Sequence, residues 1–443
     1  MCEAVVDCPH STPVWTDSGF VVLRNQNIKN GRLDLSAPSF TDEEHFKQRV
    51  RRLAPRPGDI VITREAPMGE VCKIPEGLIC CLGQRQVLLR PKSGVNADYL
   101  LYALQSPAVQ EQVRWNEGTG STVSNIRIPV LEKIEIPRLG ESEKLIATAL
   151  KSIDDKIDLN RRINQTLEAM AQAIFKSWFV DFDPVKAKIA ALTEGRDPLR
   201  AAMRAISGKS EVELDALPPE AFEQLAATAA LFPDEMEESE LGKVPRGWEA
   251  QSLDSVANYL NGLALQKFPP KSATDFLPVI KIAQLRAGHT EGADKAVSDL
   301  KLEYVVCDGD VLFSWSGSLE VDVWTGGRGA LNQHLFKVTS SIVPKWFYLW
   351  ATKYHLPEFR EIAANKATTM GHIQRKHLSD ARTATPPTEF LTQASKLISP
   401  LLDEIVSLRL QSRELAKARD TLLPKLLSGE LSVEALAESA GAA

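Results

Sequence analysis

The sequence predicts an α+β protein in which two duplicated domains are joined by two long antiparallel coiled-coil helices with pseudo-twofold symmetry. Three observations lead to this fold class. The chain has 443 residues, which is too long for a single hydrophobic core, so more than one domain is expected. A pattern of short strands and turns occurs twice, and a long heptad pattern follows each copy. The apolar content of 44% and the charged content of 25% are those of an ordinary globular protein.

The repeat is clearest in one motif that occurs in both halves of the chain. GDIVITREAPMGEV begins at Gly58, and GDVLFSWSGSLEV begins at Gly309. Each has Gly-Asp, a short apolar strand, a variable tip and Glu-Val. Four more pairs of segments recur in the same order: 21–31 with 278–288, 82–91 with 331–340, 97–106 with 344–353, and 120–137 with 367–386. The shared order predicts two compact α+β domains, at residues 1–140 and 244–386.

A heptad seam follows each copy and predicts long helices at residues 141–180 and 387–430. The seam residues recur in steps of four and three, so we expect the two seams to pair with each other. Asn160 and Asn164 would fix the register at some cost in stability, unless the seam faces several neighbours and these positions are partly solvated. Pro400 is predicted to kink or end the second helix, as is Pro424. The predicted seam consists of Ile146, Leu150, Ile153, Ile157, Asn160, Asn164, Leu167, Ile174, Ile398, Leu401, Ile405, Leu408, Leu415 and Leu422.

The length of the first predicted helix has a consequence for the distance between the domains. A helix from Lys144 to Phe179 would be roughly 54 Å long, because each residue adds ~1.5 Å. One turn of B-DNA is ~34 Å. The length of this helix therefore predicts that the two domains are held apart by more than the length of one turn of B-DNA.

The segment between the first helix and the second domain, residues 181–243, is acidic. It holds 14 acidic and seven basic residues, whereas the whole chain has a net charge of −6, so the rest of the chain carries about +1. The global charge therefore does not exclude a nucleic-acid partner. We predict an acidic connector with one or two short helices here, and a C-terminal tail at residues 431–443.

The sequence lacks the common catalytic and cofactor motifs. It has no phosphate-binding GxxxxGK[ST] loop, no HExxH, no GxSxG and no Asn-Pro-Pro-aromatic tetrapeptide. The six cysteines form no CxxC pair, so we expect reduced, buried thiols and no metal site. No apolar run reaches the ~20 residues that span a bilayer, and the start has no signal-peptide pattern. These features predict a cytoplasmic protein without a membrane partner.

Several segments carry a more specific signal, in order along nearly the whole chain. They are GRLDL, TREAPMGEV, LGQR, GTGSTVSNI, the helical run SIDDKIDLNRRINQTLEAMAQAIFKSWFVDFDPV (152–185), LFPDEMEESELGKVPRGWE (231–249) and RDTLLPKLLSGEL (419–431). Together they resemble the specificity subunit of type I restriction-modification systems. The two motifs at the helix ends are the most specific part of the resemblance.

The resemblance implies two target-recognition domains, each reading one half of a split, asymmetric sequence in double-stranded DNA. It implies that the long helices dock two methyltransferase (modification) subunits and, through them, restriction subunits. The chain itself would then be non-catalytic and hold no cofactor, because partner subunits would use S-adenosylmethionine, ATP and Mg for adenine methylation and DNA cleavage. The competing hypotheses are a coiled-coil scaffold whose globular ends bind proteins without sequence-specific DNA binding, and a self-contained DNA-modifying enzyme.

One segment of the second copy has no counterpart in the first. The second copy opens with PRGWEAQSLDSVANYLNG, whereas Met1 aligns near Val256. We interpret this difference as either a misassigned start codon or an absent opening segment of the first domain.

Candidate DNA-binding residues follow from the repeat positions and from the chemistry of readout. Arg, Lys, Asn, Gln and hydroxyl side chains contact base edges, while basic groups and backbone N–H groups hold phosphates. A shared framework hydrogen bond is an equal alternative for Gln84 and Gln333, which occupy the same repeat position, and Trp315 is an equal candidate for capping a core. The candidates of the first copy are Arg24, Asn25, Asn27, Arg64, Gln84, Arg85, Ser121, Thr122, Ser124 and Asn125. Those of the second are Lys281, Gln284, Trp315, Ser316, Gln333, His334, Thr368, Thr369, His372 and Arg375.

Overall fold

The computed structural model describes residues 1–115, 125–365 and 371–433, which divide into two compact units. The first unit comprises Met1–Asp158 and Glu414–Ala443, and the second comprises Leu159–Arg413. Each unit mixes short strands with helices, so the predicted α+β class is confirmed.

The described residues of the first unit form nine strands and four helices that belong to it alone, followed by a long helix that it shares with the second unit. The strands are β1 (Cys2–Asp7), β2 (Phe20–Leu23), β3 (Ile28–Lys29), β4 (Arg32–Leu33), β5 (Phe40–Thr41), β6 (Ile60–Thr63), β7 (Val71–Lys73), β8 (Cys80–Leu82) and β9 (Gln86–Pro91). The helices are α1 (Glu43–Arg49), α2 (Ala97–Gln105), α3 (Pro107–Trp115), α4 (Ile128–Leu131) and the shared α5 (Ser142–Phe179).

The main sheet of the first unit has the order β1-β9-β6-β7, and all its neighbouring strands are antiparallel. The central strand β6 is apolar on both faces, because successive side chains of a strand point in opposite directions. On one face Ile60 and Ile62 pack in a cluster with Leu104 of α2. On the other face Val61 packs in a cluster with Leu23 of β2. A smaller sheet has the order β5-β2-β8, and its β2–β8 pair is parallel.

In the second unit, the part of the chain that the structure describes forms twelve strands and eight helices, followed by a second long helix, α14. The strands are β10 (Met236–Ser239), β11 (Gly242–Pro245), β12 (Glu249–Ser252), β13 (Asn258–Asn261), β14 (Leu277–Ile280), β15 (Lys295–Ala296), β16 (Val305–Val306), β17 (Val311–Ser314), β18 (Val321–Val323), β19 (Gly329–Leu331), β20 (Leu335–Thr339) and β21 (Arg382–Thr385). The helices are α6 (Asp183–Thr193), α7 (Pro198–Ser207), α8 (Glu211–Asp215), α9 (Pro219–Ala230), α10 (Leu253–Val256), α11 (Ile282–Ala287), α12 (Lys345–Asn365), α13 (Arg375–Asp380) and α14 (Thr388–Ser428).

The second unit repeats the sheet order of the first. Its main sheet has the order β13-β20-β17-β18, which matches β1-β9-β6-β7 strand for strand. A parallel pair accompanies it, β14 with β19, as β2 pairs with β8 in the first unit. The predicted duplication of the two domains is therefore confirmed at the level of topology.

The Gly-Asp pair of the repeated motif makes the same turn in both units. Gly58 and Gly309 have φ of 87° and 89°, a left-handed conformation that favours glycine. The following aspartate then accepts a hydrogen bond from the backbone three residues earlier, 3.0 Å for Asp59 and 2.8 Å for Asp310. The motif is therefore a turn that starts the central strand.

The opening segment of the second unit occupies a defined place in its fold. β12 pairs with β21 in an antiparallel ladder, and Leu253 and Val256 of α10 are fully buried. In the first unit, residues 134–137 align with residues 383–386, which overlap β21, but they lie outside any strand. The described part of the first unit therefore has no equivalent of the β12 ladder.

The two long helices run antiparallel within each unit. In the first unit Arg419 of α14 donates to Asp154 of α5 over 2.7 Å. In the second unit Arg409 of α14 donates to Glu168 of α5. Within the second unit Asn160 of α5 contacts Ser412 of α14, so residue numbers rise along α5 from Asn160 to Glu168 as they fall along α14 from Ser412 to Arg409, which confirms the predicted antiparallel pairing. Burial raises the pKa of Asp154, but the Tyr102 hydroxyl and the Arg419 guanidinium, which both donate to it, bring that pKa below its ordinary value of 3.8.

About half of the predicted seam residues are buried, and the others are half-buried. The buried ones are Ile146, Leu150, Ile157, Asn160, Asn164, Ile398, Ile405 and Leu408. The half-buried ones are Ile153, Leu167, Ile174, Leu401, Leu415 and Leu422. Leu402 and Leu423 are buried beside two of these, so the buried face of α14 is displaced by one residue there. Of the predicted alternatives for Pro400 and Pro424, a helix end is wrong, since α14 continues through both because burial on either side outweighs the loss of one backbone donor; a kink there stays a prediction.

The polar residues of the seam are enclosed rather than solvated. Asn160 is 0% exposed, and its Nδ2 donates to Gln411 Oε1 over 2.8 Å and to Ser412 Oγ over 3.3 Å. Within the described residues, Oδ1 of Asn160 and of Asn164 has no hydrogen-bond partner. The alternative of partial solvation is therefore wrong for Asn160, and this residue restricts the seam to a register that supplies its partners.

The acidic connector differs from the prediction of one or two short helices. It folds into the four helices α6–α9 and the β10–β11 hairpin. Ala202, Met203, Leu214 and Ala229 form a small core within it. Lys188 is also buried, and its ammonium group donates to the Phe232 carbonyl. The acidic side chains lie outside this core. The segment therefore has enough apolar residues to pack its helices together, although its overall composition is acidic.

The cysteines are all free, and four of the six are buried. Burial raises the pKa of Cys80 to about 12 and that of Cys81 to about 11, which makes these thiols unreactive. Cys307 is exposed, so the prediction of burial is wrong for that residue. Among the described helices, none is both long and apolar enough to span a bilayer.

Candidate nucleic-acid interface

The variable tip of the repeated motif is held by the same backbone hydrogen bonds in both units. In the first unit the Arg64 N–H donates to the Arg85 carbonyl over 2.8 Å, and the Ile126 N–H donates to the Arg64 carbonyl over 3.2 Å. The equivalent bonds of the second unit are Trp315 N–H to His334 carbonyl at 3.3 Å and Ile373 N–H to Trp315 carbonyl at 3.0 Å. The backbone therefore brings three chain segments together at each tip in the same way.

The side chains of the first tip form a connected chain of polar contacts. The Arg64 guanidinium donates through Nη1 to both oxygens of Asp7, at 2.8 and 2.7 Å. Its Nη2 donates to Asn125 Oδ1 over 3.2 Å. Asn125 Nδ2 then donates to Glu65 Oε1, and Glu65 Oε2 lies 3.3 Å from Arg85 Nε. We call Asp7, Arg64, Glu65, Arg85 and Asn125 the first tip cluster.

The second tip uses the same positions with different chemistry. Trp315 Nε1 donates to Asn261 Oδ1 over 3.0 Å, where the first unit has Arg64 and Asp7. Ser316 Oγ lies 3.0 Å from His334 Nδ1, where the first unit has Glu65 and Arg85. The Trp315 ring meets the His372 ring edge to face at a centroid distance of 6.3 Å. We call Asn261, Trp315, Ser316, His334 and His372 the second tip cluster.

Strand register establishes that the two clusters are equivalent. Asp7 lies opposite Val87 in the β1–β9 ladder, and Asn261 lies opposite Phe336 in the β13–β20 ladder. Val87 and Phe336 also occupy equivalent places opposite the central strands β6 and β17. The clusters therefore present two sets of side chains at one site of the fold: two acids and two arginines in the first, and no acid or arginine in the second.

Exposure separates the two arginines of the first tip cluster. The Arg64 side chain is 11% exposed, and it also donates to the Ile126 carbonyl over 3.0 Å. The Arg85 side chain is 55% exposed, and Glu65 is its one ionic partner within the described ranges. Arg64 is therefore committed to holding the tip, whereas Arg85 presents its guanidinium to solvent.

The candidate residues after β2 and β14 divide between framework and surface. Asn27 Oδ1 accepts from the Arg24 N–H over 2.9 Å, and Gln284 Oε1 accepts from the Lys281 N–H over 3.3 Å. Both amides thus cap the turn at the strand end. The Arg24 guanidinium is exposed and lies over a tryptophan ring, and the Lys281 ammonium pairs with an aspartate. Asn25 donates from Nδ2 to the Glu65 carbonyl and so supports the first tip.

Gln84 and Gln333 do not make the same side-chain contact, although they share a repeat position. Gln84 Nε2 donates to the His10 carbonyl over 2.6 Å, whereas Gln333 Nε2 lies 3.3 Å from His334 Nε2. The side chains of Gln84 and Gln333 therefore do not share a framework hydrogen bond, and that alternative is wrong.

The remaining candidates of the second unit lie beside its tip. Arg375 donates to the Tyr259 carbonyl over 3.0 Å and lies over the Phe336 ring at 5.4 Å from its centroid. Trp315 also packs against Phe336, with centroids 6.1 Å apart, so it contacts the core from one side. Ser121, Thr122, Ser124, Thr368 and Thr369 lie outside the described residues.

Sequence reasoning missed the partners that hold each tip, namely Asp7, Glu65 and Asn261. A signal was available for Asp7 and Asn261, since extending the repeat backwards places both at the end of its first strand. The basic run 47–52 hides another framework residue. Arg49 is 8% exposed and donates to the carbonyls of Leu82, Gly83 and two other residues, and its burial lowers its pKa.

The two tips carry side chains that can make directional hydrogen bonds. They offer guanidinium, amide, imidazole and hydroxyl groups, which are the groups that contact base edges. In the described ranges, no set of three or more His, Cys, Asp or Glu side chains has a geometry for holding a metal ion.

Comparison with known proteins gives a consistent set of similarities. Residues 14–169 match the family described as the type I restriction modification DNA specificity domain. The chain is 31% identical over 339 residues to the type I restriction enzyme HindI specificity subunit of Haemophilus influenzae, covering 71% of each protein. It is 26% identical over 405 residues to the MjaIX specificity subunit of Methanocaldococcus jannaschii, covering 89% of this chain and 82% of that protein.

A solved structure is also similar over most of its length. The crystal structure of a type I restriction-modification system S subunit from M. genitalium aligns with a TM-score of 0.46 at 14% identity. The alignment covers 95% of this chain and 93% of that chain.

Proposed function

This chain belongs to the family of type I restriction enzyme specificity subunits, and from that premise we propose that it binds a bipartite, asymmetric site in double-stranded DNA. Members of this family are the non-catalytic DNA-recognition components of type I restriction-modification systems. In our proposal each unit reads one half-site, and the tip clusters carry the difference between the two half-sites. One observation carries the proposal: the same backbone framework occurs twice with two unlike sets of polar side chains at its tip.

The chemistry of the tips supports reading of base edges. Sequence is read in the grooves by directional donors and acceptors, whereas phosphate contacts position the protein without reading sequence. The first tip cluster offers guanidinium and carboxylate groups, and the second offers imidazole, hydroxyl and amide groups. Two such sets favour different bases, so two copies of one fold can recognise an asymmetric sequence.

We further propose that the paired helices α5 and α14 dock two methyltransferase subunits. Restriction subunits would join through these, and S-adenosylmethionine, ATP and Mg would be bound by the partners in the cytoplasm. The length of α5 supports a related proposal, that the helices set the number of unspecified base pairs between the half-sites. Inserting a matched heptad into both helices would then widen the gap, and an unchanged gap would contradict this part of the proposal.

The test uses the chain together with its modification subunit. We expect the complex to methylate adenine within a bipartite sequence, and we expect gel-shift binding to that sequence to weaken steeply with salt. Methyl transfer by the purified chain alone would contradict the proposal. Sequence-independent binding by the complex would support the scaffold hypothesis instead.

Exchange of one unit gives a second, independent measurement. Replacing residues 1–140 with the corresponding residues of a relative should change one half-site and leave the other unchanged. A change in both half-sites would show that the units do not read independently.

A further inference from the structure

We infer that Arg85 recognises a guanine in the half-site read by the first unit and that Glu65 is the positioning residue that orients it. The inference rests on the proposed function and deepens it, because it assigns one base to one side chain. Five observations support it: the geometry of the guanidinium, the backbone conformation of Arg85, the fixed partners of Glu65, the charge of the surrounding cluster, and the equivalent position in the second unit.

The contact with Glu65 leaves the recognition end of Arg85 available. Glu65 Oε2 lies 3.3 Å from Nε, the inner nitrogen of the guanidinium. The two outer nitrogens have no protein partner within the described ranges, and the side chain is 55% exposed. A guanidinium held in this way presents parallel donors, which match the O6 and N7 acceptors of guanine in the major groove.

The backbone of Arg85 is in an unusual conformation that fixes where the side chain starts. Its φ is 65°, in the left-handed region that glycine adopts freely and that other residues seldom adopt. The Arg85 carbonyl accepts from the Arg64 N–H, and the next residue, Gln86, is fully buried. Uncommon conformations held by their surroundings occur at functional sites, and here the conformation directs an exposed arginine from the tip.

The partners of Glu65 are themselves fixed from the interior. Glu65 accepts from Asn125, Asn125 accepts from Arg64, and Arg64 is held by both oxygens of Asp7. This series of contacts leads from Asp7, Arg64 and Glu65, whose side chains are 11% to 23% exposed, to Arg85, whose side chain is 55% exposed. Pre-organisation of this kind lowers the entropy that Arg85 loses on binding.

The charge of the first tip cluster favours a base over a phosphate. Its two guanidinium groups are balanced by the two carboxylates of Asp7 and Glu65. A phosphate approaching Arg85 would also approach Glu65, which repels it. The neutral guanine edge carries no such penalty.

The second unit differs at the equivalent position in a way that sharpens the inference. His334 Nδ1 contacts Ser316, and Nε2, the one outer ring nitrogen, lies 3.3 Å from Gln333 Nε2. A single nitrogen does not present the paired donors of an arginine. We therefore expect the guanine preference in the first half-site alone, at the position that Arg85 contacts.

The experiment measures base preference in the complex of the full chain with its modification subunit. A library of DNA duplexes with both half-sites randomised is bound, and the enrichment of each base is read at each position. The test variant is Arg85→Gly, because glycine suits the positive φ and so preserves the fold. The matched control is His334→Ala, which removes the equivalent side chain of the second unit.

We expect Arg85→Gly to reduce the preference for guanine roughly 5- to 150-fold at one position of the first half-site and to leave the second half-site unchanged. Glu65→Gln should lower the same preference by a smaller factor, whereas His334→Ala should leave the first half-site intact. Uniform weakening over all sequences, with a salt slope smaller by about one unit, would identify a phosphate contact and overturn the inference. An unchanged guanine preference in Arg85→Gly would also overturn it. Absence of any bipartite preference in the unmodified complex would instead contradict the proposed function.

Discussion

The pair of Arg64 with Asp7 gives the most direct measurement of how the first tip is held. We consider the substitutions Arg64→Ala and Asp7→Ala, alone and together. Breaking a buried ion pair costs about 3–5 kcal/mol, and an exposed pair contributes about 0–1 kcal/mol. These side chains are 11% and 19% exposed and are joined by two bonds of 2.7–2.8 Å. We therefore expect a coupling free energy of about 2 kcal/mol between the two substitutions.

Arg64→Ala alone should cost about 3 kcal/mol of unfolding free energy. It also removes the bonds to the Ile126 carbonyl and to Asn125 Oδ1, and each charge-assisted hydrogen bond contributes about 1.5 kcal/mol or more before solvent partly replaces it. Hydrogen exchange measured by mass spectrometry on peptides from β6 and β9 reports local stability in the first unit. Peptides from β17 and β20 serve as the internal control.

The second unit supplies a designed rescue for this pair. Arg64→Trp together with Asp7→Asn recreates the contact that Trp315 makes with Asn261. Because the backbone bonds of the two tips are equivalent, we expect the double variant to recover at least half of the protection lost in Arg64→Ala. If the two alanine substitutions were additive within about 0.5 kcal/mol, or if the rescue gave no protection, the equivalence of the tip pairs would be refuted.

Three further predictions concern the framework. Asn160→Leu should raise the free energy of unfolding in urea by about 1–2 kcal/mol, because it removes a buried oxygen without a partner among the described residues. A lower free energy of unfolding would contradict this prediction. Arg49→Met should lower the free energy of unfolding by about 2–4 kcal/mol, because four carbonyls lose their donor. Arg51 is exposed, so the control Arg51→Met should change that free energy by less than about 0.5 kcal/mol. The lowered pKa of Asp154 means that its stabilisation is present above about pH 3.8 and is lost as the pH falls below that value, so Asp154→Asn should flatten the stability curve in that acidic range.

The sequence was sufficient for those parts of the fold that depend on local patterns. The repeated Gly-Asp turn and strand are visible because one glycine with positive φ and one capping aspartate fix the geometry within a few residues. The long helices are visible because a heptad repeats over many turns, and the bounds of α5 and α14 lie within two residues of those predicted. The order of strands in the sheets was not predicted, because it depends on pairing between segments that are far apart in the chain.

The candidate site was predictable only in part, for a related reason. The tip was found as the place where the two copies differ, but composition alone does not separate Arg64 from Arg85. Strand register places Arg64 against Asp7 at the end of β1, which is 57 residues away in the chain. An arginine with such a partner holds the structure, whereas its neighbour in space remains exposed. The connector was underestimated for the same reason, since its small apolar core is distributed among four helices.

The equivalence of the two tips indicates how one fold accommodates two specificities. The backbone bonds at each tip are the same in both units, so this part of the framework does not depend on which side chains are present. The contacting side chains differ between the units in pairs: an arginine contacts an aspartate in the first tip, and a tryptophan contacts an asparagine in the second. A single substitution at the tip would leave a polar partner without its bond, and this cost opposes change at one position alone. A change of specificity that preserves the fold therefore requires coordinated replacement of a cluster, and the smallest unit of exchange is the contacting pair rather than the residue.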